Sequence, residues 1–443
     1  MVTGVRLSWA ALAAAMVVAC GEAPRQAEVE LEVASEALLE DVVGRLPNGF
    51  PIPNRAGTAA TVGSGGFVEL DDAFHTPQGS NGRHCATCHA VESGWSIVPA
   101  QIELLFGLTG GTHPIFNPLD ADNPNADLST VEARRAAYGM LRRGLFRRTA
   151  GPPAGAEFEV VAAHDPHGYG TVAKPSFFRR PLTTANLRLA TGNMWDDRLS
   201  IPAPGGGNDV RAGLVNQARV AILGAEQGQP PAPELLEEIV ADELAITHAQ
   251  LTRHGLRLDS CGARGGPAPL AGQPLVAGRF DLFDAWRGLR PGACSTRKAD
   301  EQRAQIARGQ ELFNERQNAR GGRCQGCHDA ANQGTSVAGR LFDVKTSDPA
   351  HRTPDMPVYT LRNLATGELR ATTDPGKGFI SGRWADVDRF KTPTLRGLSS
   401  RAPYFHNGIA ATLRDVVRHY EVALGFDFTD AEEDDLVAFL EAL

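Results

Sequence analysis

The sequence lacks a cluster of basic residues, and beyond its first residues it lacks any apolar run long enough to cross a bilayer. Without a basic patch, nothing in the chain indicates a nucleic-acid partner. Its 44 Lys and Arg oppose 52 Asp and Glu, a net charge of −8. The charged fraction of 22% excludes wholesale disorder, and the hydrophobic fraction of 42% suffices for a buried core. A chain of 443 residues is therefore expected to form two or three domains.

Cysteine is sparse, with seven residues, but four of them form a repeated pattern. The pentapeptide Cys-x-x-Cys-His occurs in the stretches RHCATCHA and RGGRCQGCHDA. Its residues are Cys85, Cys88 and His89 in the first motif and Cys324, Cys327 and His328 in the second motif. From the Cys and His content of the chain, roughly 0.003 such pentapeptides are expected by chance, so the repeat is not accidental.

With His directly after the second Cys, the pattern is typical of covalent c-type haem attachment. Two thiols three residues apart can each bond a vinyl-derived carbon at one edge of a porphyrin, and the adjacent His then reaches the iron. Cys-x-x-Cys alone could also be half of a zinc site, a redox dithiol or a disulfide. A zinc site needs two further ligands near each pair, and neither neighbourhood offers another Cys or His pair. We therefore expect two covalently bound haem c groups.

The first residues have the composition of an export signal. One Arg precedes a short apolar run that ends before Cys20, which favours a secretory signal over a membrane span. The run VVAC resembles a bacterial lipobox, in which cleavage leaves a lipid-modified Cys20; an ordinary signal peptide with an incidental Cys is the alternative. Residues 1–20 are thus assigned to a lipoprotein signal peptide and residues 21–45 to a tether.

The lipid would be the only attachment of this protein to a membrane. Gly21 follows the modified cysteine in place of Asp, which favours the outer membrane, with the protein on the periplasmic side. Two cysteines remain, Cys261 and Cys294. In an oxidising compartment they are expected to form a disulfide; two buried free thiols are the alternative.

Helical patterns flank the second motif on both sides, whereas strand patterns are scarce throughout the chain. Upstream, residues 301–317 place Ile306, Gln310 and Phe313 at helical spacing. In a cytochrome c fold, the helix before Cys-x-x-Cys-His crosses a helix at the end of the domain. Residues 301–443 are therefore predicted to form the C-terminal haem domain.

The helix at the end of this domain has a start signal and an apolar stripe. Thr429 precedes Glu432 by three residues, which is the pattern of a capping box. The apolar stripe that follows consists of Leu436, Phe439, Leu440 and Leu443.

The N-terminal haem domain is assigned to residues 46–260, and residues 261–300 to an interdomain connection that the disulfide would pin. Residues 232–250 are predicted as the closing helix of this first domain. Loops or short helices are expected in its Gly/Pro-rich insertions at 117–130 and 201–209. The predicted fold is thus mostly α, with two cytochrome c-like haem domains, the N-terminal one enlarged by loop insertions.

Residues 389–422, RFKTPTLRGLSSRAPYFHNGIAATLRDVVRHYEV, closely resemble the C-terminal signature of bacterial di-haem cytochrome c peroxidases and the related MauG-like enzymes. Residues 179–199, RRPLTTANLRLATGNMWDDRL, are similar to the family's segment ending in Trp-Asp-Gly-Arg. The resemblance covers most of residues 70–443. It implies an oxidoreductase that reduces hydrogen peroxide, with electrons relayed between two haems.

In this family one haem meets peroxide and the other transfers electrons, and the resemblance gives these roles to the first and second motifs, respectively. Trp195 matches the Trp that lies between the haems, where its indole relays charge; a tryptophan that is simply packed is the alternative. Asp196 and Arg198 follow the family's motif, whereas Asp197 stands where the family has Gly.

The sixth ligand of the second haem departs from the peroxidase pattern. The peroxidases place a Met fourteen residues after the His that matches His406, and this position is Tyr420 here, as in MauG-like enzymes. A phenolate lowers the potential of the iron, whereas thioether sulfur raises it. Met356 is the alternative ligand, and packing on a helix is the alternative role for Tyr420.

Peroxide chemistry needs a group that moves a proton from the near oxygen to the far one. The family's Glu for this task aligns, ungapped from Gln217, with Gln227, and Glu226 lies one residue earlier. A Gln can orient peroxide but cannot act as a base. Either a one-residue shift brings Glu226 into the site or the chemistry is weakened.

The family's interhaem calcium ion has an Asn ligand that aligns with Arg180 here, although carbonyl oxygens near Arg401 and Pro403 would remain as ligands. Several other histidines lie beside the first motif or before Trp195 and are expected to be surface or structural residues. These are His84, His113, His164 and His167.

The partners implied are hydrogen peroxide and a small redox protein, either a cytochrome or a copper protein. The acidic balance of the chain would suit a basic electron donor. Two alternatives stay open: MauG-like oxidation of a protein side chain, and a pure di-haem electron-transfer cytochrome with no peroxide site.

Overall fold

The computed structural model describes residues 44–272, 277–335 and 339–443. The predicted signal peptide with Cys20, and the predicted tether up to residue 43, lie outside these ranges. The structure is 34% helical and 17% strand. The prediction of a mostly α fold is therefore wrong, and the architecture is mixed. None of the helices in the described ranges is long and apolar enough to span a membrane.

Helices and strands alternate along the described chain in short segments. The α-helices are α1 (Pro99–Thr109), α2 (Val131–Ala137), α3 (Val210–Gly224), α4 (Pro233–Ala245), α5 (Pro267–Gly272), α6 (Arg297–Glu315), α7 (Gly378–Ser381), α8 (Leu413–Leu424) and α9 (Asp430–Glu441). The strands are β1 (Arg45–Pro47), β2 (Ile52–Asn54), β3 (Gly57–Val62), β4 (Phe67–Glu69), β5 (Phe146–Thr149), β6 (Phe158–His164), β7 (Ser176–Arg179), β8 (Ile201–Pro202), β9 (Asn208–Asp209), β10 (Thr247–Arg253), β11 (Leu256–Arg257), β12 (Leu341–Phe342), β13 (Val358–Asn363), β14 (Leu369–Thr372) and β15 (Phe390–Lys391).

The strands leave little pattern in the sequence because they are short and many pair with distant segments. The largest sheet has the order β11-β10-β3-β2, with Thr247 opposite Val62. The predicted closing helix at 232–250 is correct only as far as Ala245, because the chain turns to an extended conformation at Ile246 and continues as β10. The insertion at 201–209 forms the β8-β9 hairpin, where loops or short helices were expected.

Helices α6 and α9 cross in direct contact, on either side of the second motif in the sequence. Gly309 lies at the crossing, where an added Cβ atom would stand 1.9 Å from the carbonyl oxygen of Asp435. Phe313 of α6 packs against Phe439 of α9 with ring centroids 5.5 Å apart, and Ile306 is fully buried. The close approach therefore depends on glycine at this position.

Helix α9 begins as its sequence predicts. The Thr429 hydroxyl accepts a hydrogen bond from the amide of Glu432 at 3.3 Å, and the Glu432 carboxylate accepts one from the amide of Thr429 at 2.9 Å. The capping box is thus confirmed. The predicted apolar stripe is buried throughout, at Leu436, Phe439, Leu440 and Leu443.

The predicted connection, residues 261–300, packs into the core of the C-terminal half. Phe280, Phe283 and Trp286 are buried there, and the rings of Phe283 and Trp286 stack with centroids 4.9 Å apart. The side chain of Gln310 on α6 accepts a hydrogen bond from the Phe283 amide at 2.9 Å. The connection and the C-terminal helices therefore share one hydrophobic core.

A sheet joins the first half of the chain, which is the predicted N-terminal domain up to residue 260, to the second half, residues 261–443. Strand β6 of the first half pairs antiparallel with β13 of the second half, with Phe158 opposite Asn363 and His164 opposite Val358. Strand β14 completes this sheet. Main-chain hydrogen bonds thereby fix strand β6 of the first half onto the second half.

Candidate functional site

Both Cys-x-x-Cys-His motifs adopt the same local structure. Each contains a single 3₁₀ turn, Cys85–Thr87 in the first motif and Cys324–Gly326 in the second. In each turn the amide of the motif's His donates to the carbonyl of its first Cys, at 3.1 Å in the first motif and 3.0 Å in the second. The turn holds the two cysteines and the histidine of each motif close together.

The two motif histidines are also oriented alike. Nδ1 of His89 donates to the carbonyl oxygen of Trp95 at 3.3 Å, and Nδ1 of His328 to that of Gly334 at 2.8 Å. Since a carbonyl oxygen can only accept, Nε2 is the nitrogen left free to bind a metal. Burial lowers the pKa of both imidazoles to about 4. They are therefore neutral near pH 7, as metal ligation requires.

The motif cysteines are poorly suited to thiolate chemistry. Burial raises the pKa of Cys88 and that of Cys324 to about 12, and it raises the pKa of Cys85 and of Cys327 as well. A reactive dithiol has a lowered pKa. Within the described ranges, no group of three or more His, Cys, Asp or Glu could hold a metal ion. The motifs therefore fit thioether attachment of haem better than zinc or redox-dithiol chemistry.

A cavity of about 360 Å³ lies at the second motif. Cys324, Cys327 and His328 line it together with Tyr420. Its apolar walls come largely from α6, α8, α9 and the loop between α8 and α9 and include Phe313, Val417, Phe426, Leu436 and Leu440. A largely apolar cavity with a few polar groups is the usual form of a cofactor site. A flat, mostly apolar porphyrin held through two thioether bonds fits this lining.

Tyr420 on α8 is one of the polar residues that line this cavity. Its ring packs against Phe405 with centroids 5.7 Å apart, and burial raises the pKa of its phenol above the usual range. The neighbouring His419 donates through Nε2 to the Val344 carbonyl at 2.8 Å. Of these two neighbours, Tyr420 is therefore the one whose polar group remains available to a ligand.

Met356, the alternative ligand, does not line the cavity. It is buried in a separate cluster with Met140, Leu145 and Phe178. An apolar thioether gains more from close packing among such side chains than from exposure at a polar site. The structure therefore does not bring Met356 to the second motif.

The cavity extends from the second motif to Trp195 in the first half of the chain. The Trp195 indole donates to the carbonyl oxygen of Arg180 at 2.8 Å, and its ring lies edge-on to His406 with centroids 6.2 Å apart. The Trp195 carbonyl accepts a hydrogen bond from the Lys391 amide at 2.7 Å. Trp195 is thus fixed between the two halves by contacts with both of them.

The residue after Trp195 anchors this junction. Asp196 is 1% exposed and accepts hydrogen bonds from Arg179 at 2.6 Å and Arg198 at 2.9 Å. Burial opposes ionisation, but the charges of these two arginines keep the pKa of Asp196 below its usual range. Arg179 also binds Asp374 of the second half, through Nε at 2.6 Å and Nη2 at 2.8 Å.

Asp197 occupies the position at which the family pattern has Gly. Its backbone φ is +60°, in the left-handed region that Gly adopts without strain and that Asp tolerates better than most residues. Its carboxylate contacts the Ser200 hydroxyl and accepts from Lys377 at 3.4 Å. The departure from Gly therefore leaves the turn intact.

The structure separates the two candidates for the proton-transfer residue. Glu226 is 2% exposed; its carboxylate accepts from the Gln78 amide at 2.9 Å and from the Cys85 thiol at 3.7 Å. Gln227 has an exposed side chain. Gly79 permits this arrangement, since an added Cβ there would lie 1.9 Å from the Glu226 carbonyl oxygen. Glu226, and not Gln227, lies at the first motif, and burial raises its pKa.

A second carboxyl group near the first motif was missed from the sequence. Glu243 on α4 is 3% exposed, and its Oε2 has no hydrogen-bond partner among the described residues. Burial and the charge of Asp242 raise its pKa to about 8, and its charge acts on the Cys85 thiol. The available signal was its place on the buried stripe of α4 beside Ile239 and Val240, where a charged residue is unusual.

Of the four histidines expected to be surface or structural residues, two make hydrogen bonds and one is exposed. His167 donates through Nε2 to the Asp355 carbonyl at 2.9 Å, and His113 accepts through Nδ1 from the Ile115 amide at 3.2 Å. His164 is exposed on β6. His84 precedes the first motif, and burial lowers its pKa.

Cys261 and Cys294 lie together, with Cα atoms 6.2 Å apart and their sulfur atoms bonded. This Cα separation is within the usual range for a disulfide. The pair closes the segment that carries Phe280, Phe283 and Trp286, so a disulfide there would tie a buried part of the C-terminal core.

The residues at the expected calcium position do not fit a calcium ion. The Arg180 guanidinium donates to the carbonyl oxygens of Ile97 at 2.7 Å, Arg401 at 3.3 Å and Ala402 at 3.5 Å. Calcium requires oxygen ligands, and here a cationic side chain already uses these carbonyl oxygens. No calcium step is therefore part of the mechanism.

Comparison with known proteins agrees with the resemblance drawn from the residues. No family model matches the chain. Cytochrome-c peroxidase IdrP2 of Denitromonas iodatirespirans is 35% identical over 133 residues, which cover 28% of this chain and 36% of the relative. Cytochrome c551 peroxidase of Nitrosomonas europaea is 31% identical over 122 residues, 27% of this chain and 36% of the relative.

Methylamine utilization protein MauG of Methylophilus methylotrophus is 37% identical over 65 residues, 12% of this chain and 19% of the relative. The matched stretches thus span about a third or less of the length of these relatives. The chain is related to cytochrome c peroxidases and MauG proteins, and the predicted resemblance is confirmed at this level. A solved hydrazine synthase chain from Kuenenia stuttgartiensis overlays with a TM-score of 0.33 at 17% identity, covering 75% of this chain and 87% of that chain. This similarity is too low to support a conclusion about the present chain.

Proposed function

We propose that this protein is a di-haem c-type oxidoreductase that reduces hydrogen peroxide and relays electrons between its two haem sites. The matched geometry of the two motifs carries the proposal, because the His of each motif donates through Nδ1 and leaves Nε2 for iron. The names of the relatives support the same class. When bound, haem would supply one-electron chemistry and an iron that can react with peroxide.

The residues of this chain divide between the two haems by motif. The first motif is proposed to hold the haem that reacts with peroxide, and the second motif the haem that transfers electrons. The attachment residues are Cys85 and Cys88 with His89 as ligand, and Cys324 and Cys327 with His328 and Tyr420 as ligands.

Glu226 is the proposed acid–base residue of the first site. Its buried carboxyl lies beside the Cys85 sulfur, and burial raises its pKa, which makes it a better proton acceptor than an ordinary Glu. The Gln78 amide holds one carboxylate oxygen at 2.9 Å. In its ionised form Glu226 can take the proton from the near oxygen of peroxide and, once protonated, deliver it to the far oxygen.

Trp195 is proposed to couple the two sites. Its indole is held by the Arg180 carbonyl and lies against His406, and it lines the cavity of the second motif. An aromatic ring fixed in this way needs no rearrangement when charge passes through it. The reductant is proposed to be a small basic cytochrome or copper protein, since the chain carries a net charge of −8.

A second candidate function is MauG-like oxidation of a protein side chain. Tyr420 favours it, because a phenolate ligand in place of Met stabilises a more oxidised iron, and Met356 is buried elsewhere. A pure electron-transfer role would instead need six-coordinate iron at both sites. An electron paramagnetic resonance spectrum of the resting protein separates the electron-transfer role from the two functions that use peroxide, since only an open first site gives a high-spin ferric signal that peroxide then removes.

Haem attachment is the first test of the proposal. We expect the purified protein to keep two haems after denaturation and extraction with acidified acetone, because thioether bonds survive this treatment. Cys85→Ala should weaken attachment at the first site alone, and Cys324→Ala at the second. Haem that extracts freely from the wild-type protein would refute the assignment.

Export is proposed to accompany haem attachment, with a signal peptide over residues 1–20 and a lipid on Cys20. Mass spectrometry of the mature N-terminus tests this, and an unmodified N-terminus would remove the anchor. The Cys261–Cys294 disulfide is proposed for the same compartment and would contribute roughly 3–4 kcal/mol by loop entropy. Two thiols that react with an alkylating reagent in denaturant without reductant would contradict it.

A further inference from the structure

A buried positive charge sits at the junction of the two halves. Arg180 is 4% exposed. Its Nη2 donates to the carbonyl oxygen of Ile97 in the first half at 2.7 Å and to those of Arg401 and Ala402 in the second half at 3.3 Å and 3.5 Å. One guanidinium thereby binds main-chain oxygens from both halves.

Two glycines leave room for the Arg180 side chain. An added Cβ at Gly144 would stand 2.4 Å from Nη1 of Arg180, and one at Gly408 would stand 3.4 Å from its Cδ. Both glycines have positive φ values, of +75° and +68°. The side chain therefore enters a space that any larger residue at Gly144 would fill.

The charge is held by dipoles and not by a carboxylate. Within the described ranges, the hydrogen-bond acceptors of the guanidinium are all carbonyl oxygens, and its Nη1 is buried without a partner. Burial, together with the neighbouring charge of Arg401, lowers its pKa to about 9, so it stays protonated near pH 7. A cation surrounded by neutral oxygens is the environment that a bound hard metal ion would also have.

The backbone of the same residue holds the coupling tryptophan. The Arg180 carbonyl accepts the indole hydrogen bond of Trp195 at 2.8 Å, and the Arg180 amide donates to the carbonyl of His406 at 2.6 Å. A side chain that locks Arg180 in place also fixes the separation of these two rings, whose centroids are 6.2 Å apart.

We propose that the Arg180 guanidinium is a fixed internal cation that takes the place of a metal ion at this junction and positions Trp195 against His406. The unpartnered Nη1 belongs to a residue that lines the cavity of the second motif.

The test compares metal responses of the purified holoprotein. Wild-type protein is dialysed against EGTA and titrated with calcium chloride by calorimetry, and its unfolding temperature is recorded with and without calcium. We expect no stoichiometric calcium binding and no shift. Stoichiometric calcium binding with a rise in unfolding temperature would overturn the proposal.

Arg180→Asn removes the charge and adds an amide oxygen beside the three carbonyls. We expect this variant to unfold at a lower temperature in EGTA, and to bind calcium and recover stability when calcium is added. Arg188→Asn is the matched control, since the Arg188 guanidinium also donates to a carbonyl, that of Leu270 at 2.7 Å, away from the junction. It should show no calcium response.

Two further variants keep the test decisive if Arg180→Asn fails to fold. Arg180→Lys retains the positive charge and Arg180→Met retains only the length. We expect the lysine variant to remain indifferent to calcium and more stable than the methionine variant, and to keep the wild-type difference between the reduction potentials of the two haems. Equal stability and equal potentials of the two variants would show that Arg180 only fills space. These readouts do not depend on peroxide turnover, so their failure would leave the proposed function standing.

Discussion

At the scale of single residues, the first site has two candidates for the residue that transfers a proton to peroxide, and they differ in burial. Glu226 is buried beside Cys85 while the side chain of Gln227 is exposed. Glu226→Gln should slow the reaction with peroxide by about 100-fold or more, the usual contribution of an acid–base residue. Gln227→Glu should leave it unchanged. Stopped-flow mixing with peroxide measures both, and a wild-type rate in Glu226→Gln would exclude the role.

The pH dependence follows from the same residue. Burial raises the pKa of Glu226 above that of an ordinary Glu, and only the ionised form can accept a proton. The rate of the reaction with peroxide should therefore fall as the pH drops through this raised pKa. At low pH only the slow reaction of the protein with protonated Glu226 should remain. Glu226→Gln should lose this acid limb while it keeps both haems, which the absorption spectrum checks.

Tyr420 decides the character of the second site. Burial raises its phenol pKa, so ionisation requires a nearby cation, which ferric iron would supply. Tyr420→Met should raise the reduction potential of the second haem, because thioether ligation favours ferrous iron, and Tyr420→Phe should leave an open or water-bound iron. Spectroelectrochemical titration distinguishes these outcomes. A Tyr420→Phe protein with the spectrum and potentials of the wild type would show that Tyr420 only packs.

The sequence allowed some of these residues to be predicted and not others. The motif residues, Trp195 and Tyr420 occupy fixed positions in local patterns, so short stretches sufficed to find them. Glu226 and Gln227 stayed unresolved, because burial depends on the close approach of Gly79, which is distant in the sequence. Glu243 gave only the weak signal of a charge on a buried helix stripe, and no local pattern could show that it lies near Cys85.

At the scale of helices and strands, the predictions succeeded where the signal is local. The capping box at Thr429 and the stripe through Phe313 are patterns within one turn or two of helix, and both are present. The strands were missed because the partner of β3 is β10, at the far end of the first half, and that of β6 is β13 in the second half. The alternation of apolar and polar residues that marks a strand is weak in strands of three to seven residues that are partly buried on both faces.

The crossing of α6 and α9 gives a prediction at this scale. Gly309→Ala would place a methyl group 1.9 Å from the Asp435 carbonyl oxygen. The helices must then separate, and the free energy of unfolding should fall by about 1–3 kcal/mol. Gly107→Ala on α1 is the matched control, since nothing lies within 4 Å of an added Cβ there; it should be neutral or slightly stabilising. Urea unfolding followed by circular dichroism measures both, and equal effects would show that the crossing tolerates a methyl group.

At the scale of the whole molecule, the two halves meet through polar contacts that surround Trp195. Arg179 of the first half binds Asp196, also in the first half, and Asp374, in a loop of the second half. All three residues are nearly inaccessible to solvent. Strand β6 adds main-chain bonds to β13. Breaking a buried ion pair leaves an uncompensated charge. The relative position of the halves is thus fixed close to the proposed route of electron transfer.

Trp195→Phe tests whether this rigid junction serves electron transfer between the two sites. Phe cannot donate to the Arg180 carbonyl, so a partly buried hydrogen bond of 2.8 Å is lost and the free energy of unfolding should fall by about 1 kcal/mol. Phe is also much harder to oxidise than Trp. After peroxide is mixed with the protein, oxidation of the second haem should therefore lag behind that of the first, although both haems keep their resting spectra.

Trp384→Phe is the matched control for this variant. Trp384 donates to Glu368 at 3.1 Å and packs against Phe158, and it does not line the cavity of the second motif. It should therefore leave the timing of the two oxidations unchanged. Rapid-scan absorption at the Soret bands of the two haems follows both variants. If Trp195→Phe transfers charge as fast as the wild type, the coupling runs through other atoms of the junction, and the fixed position of Trp195 serves only to hold the two halves together.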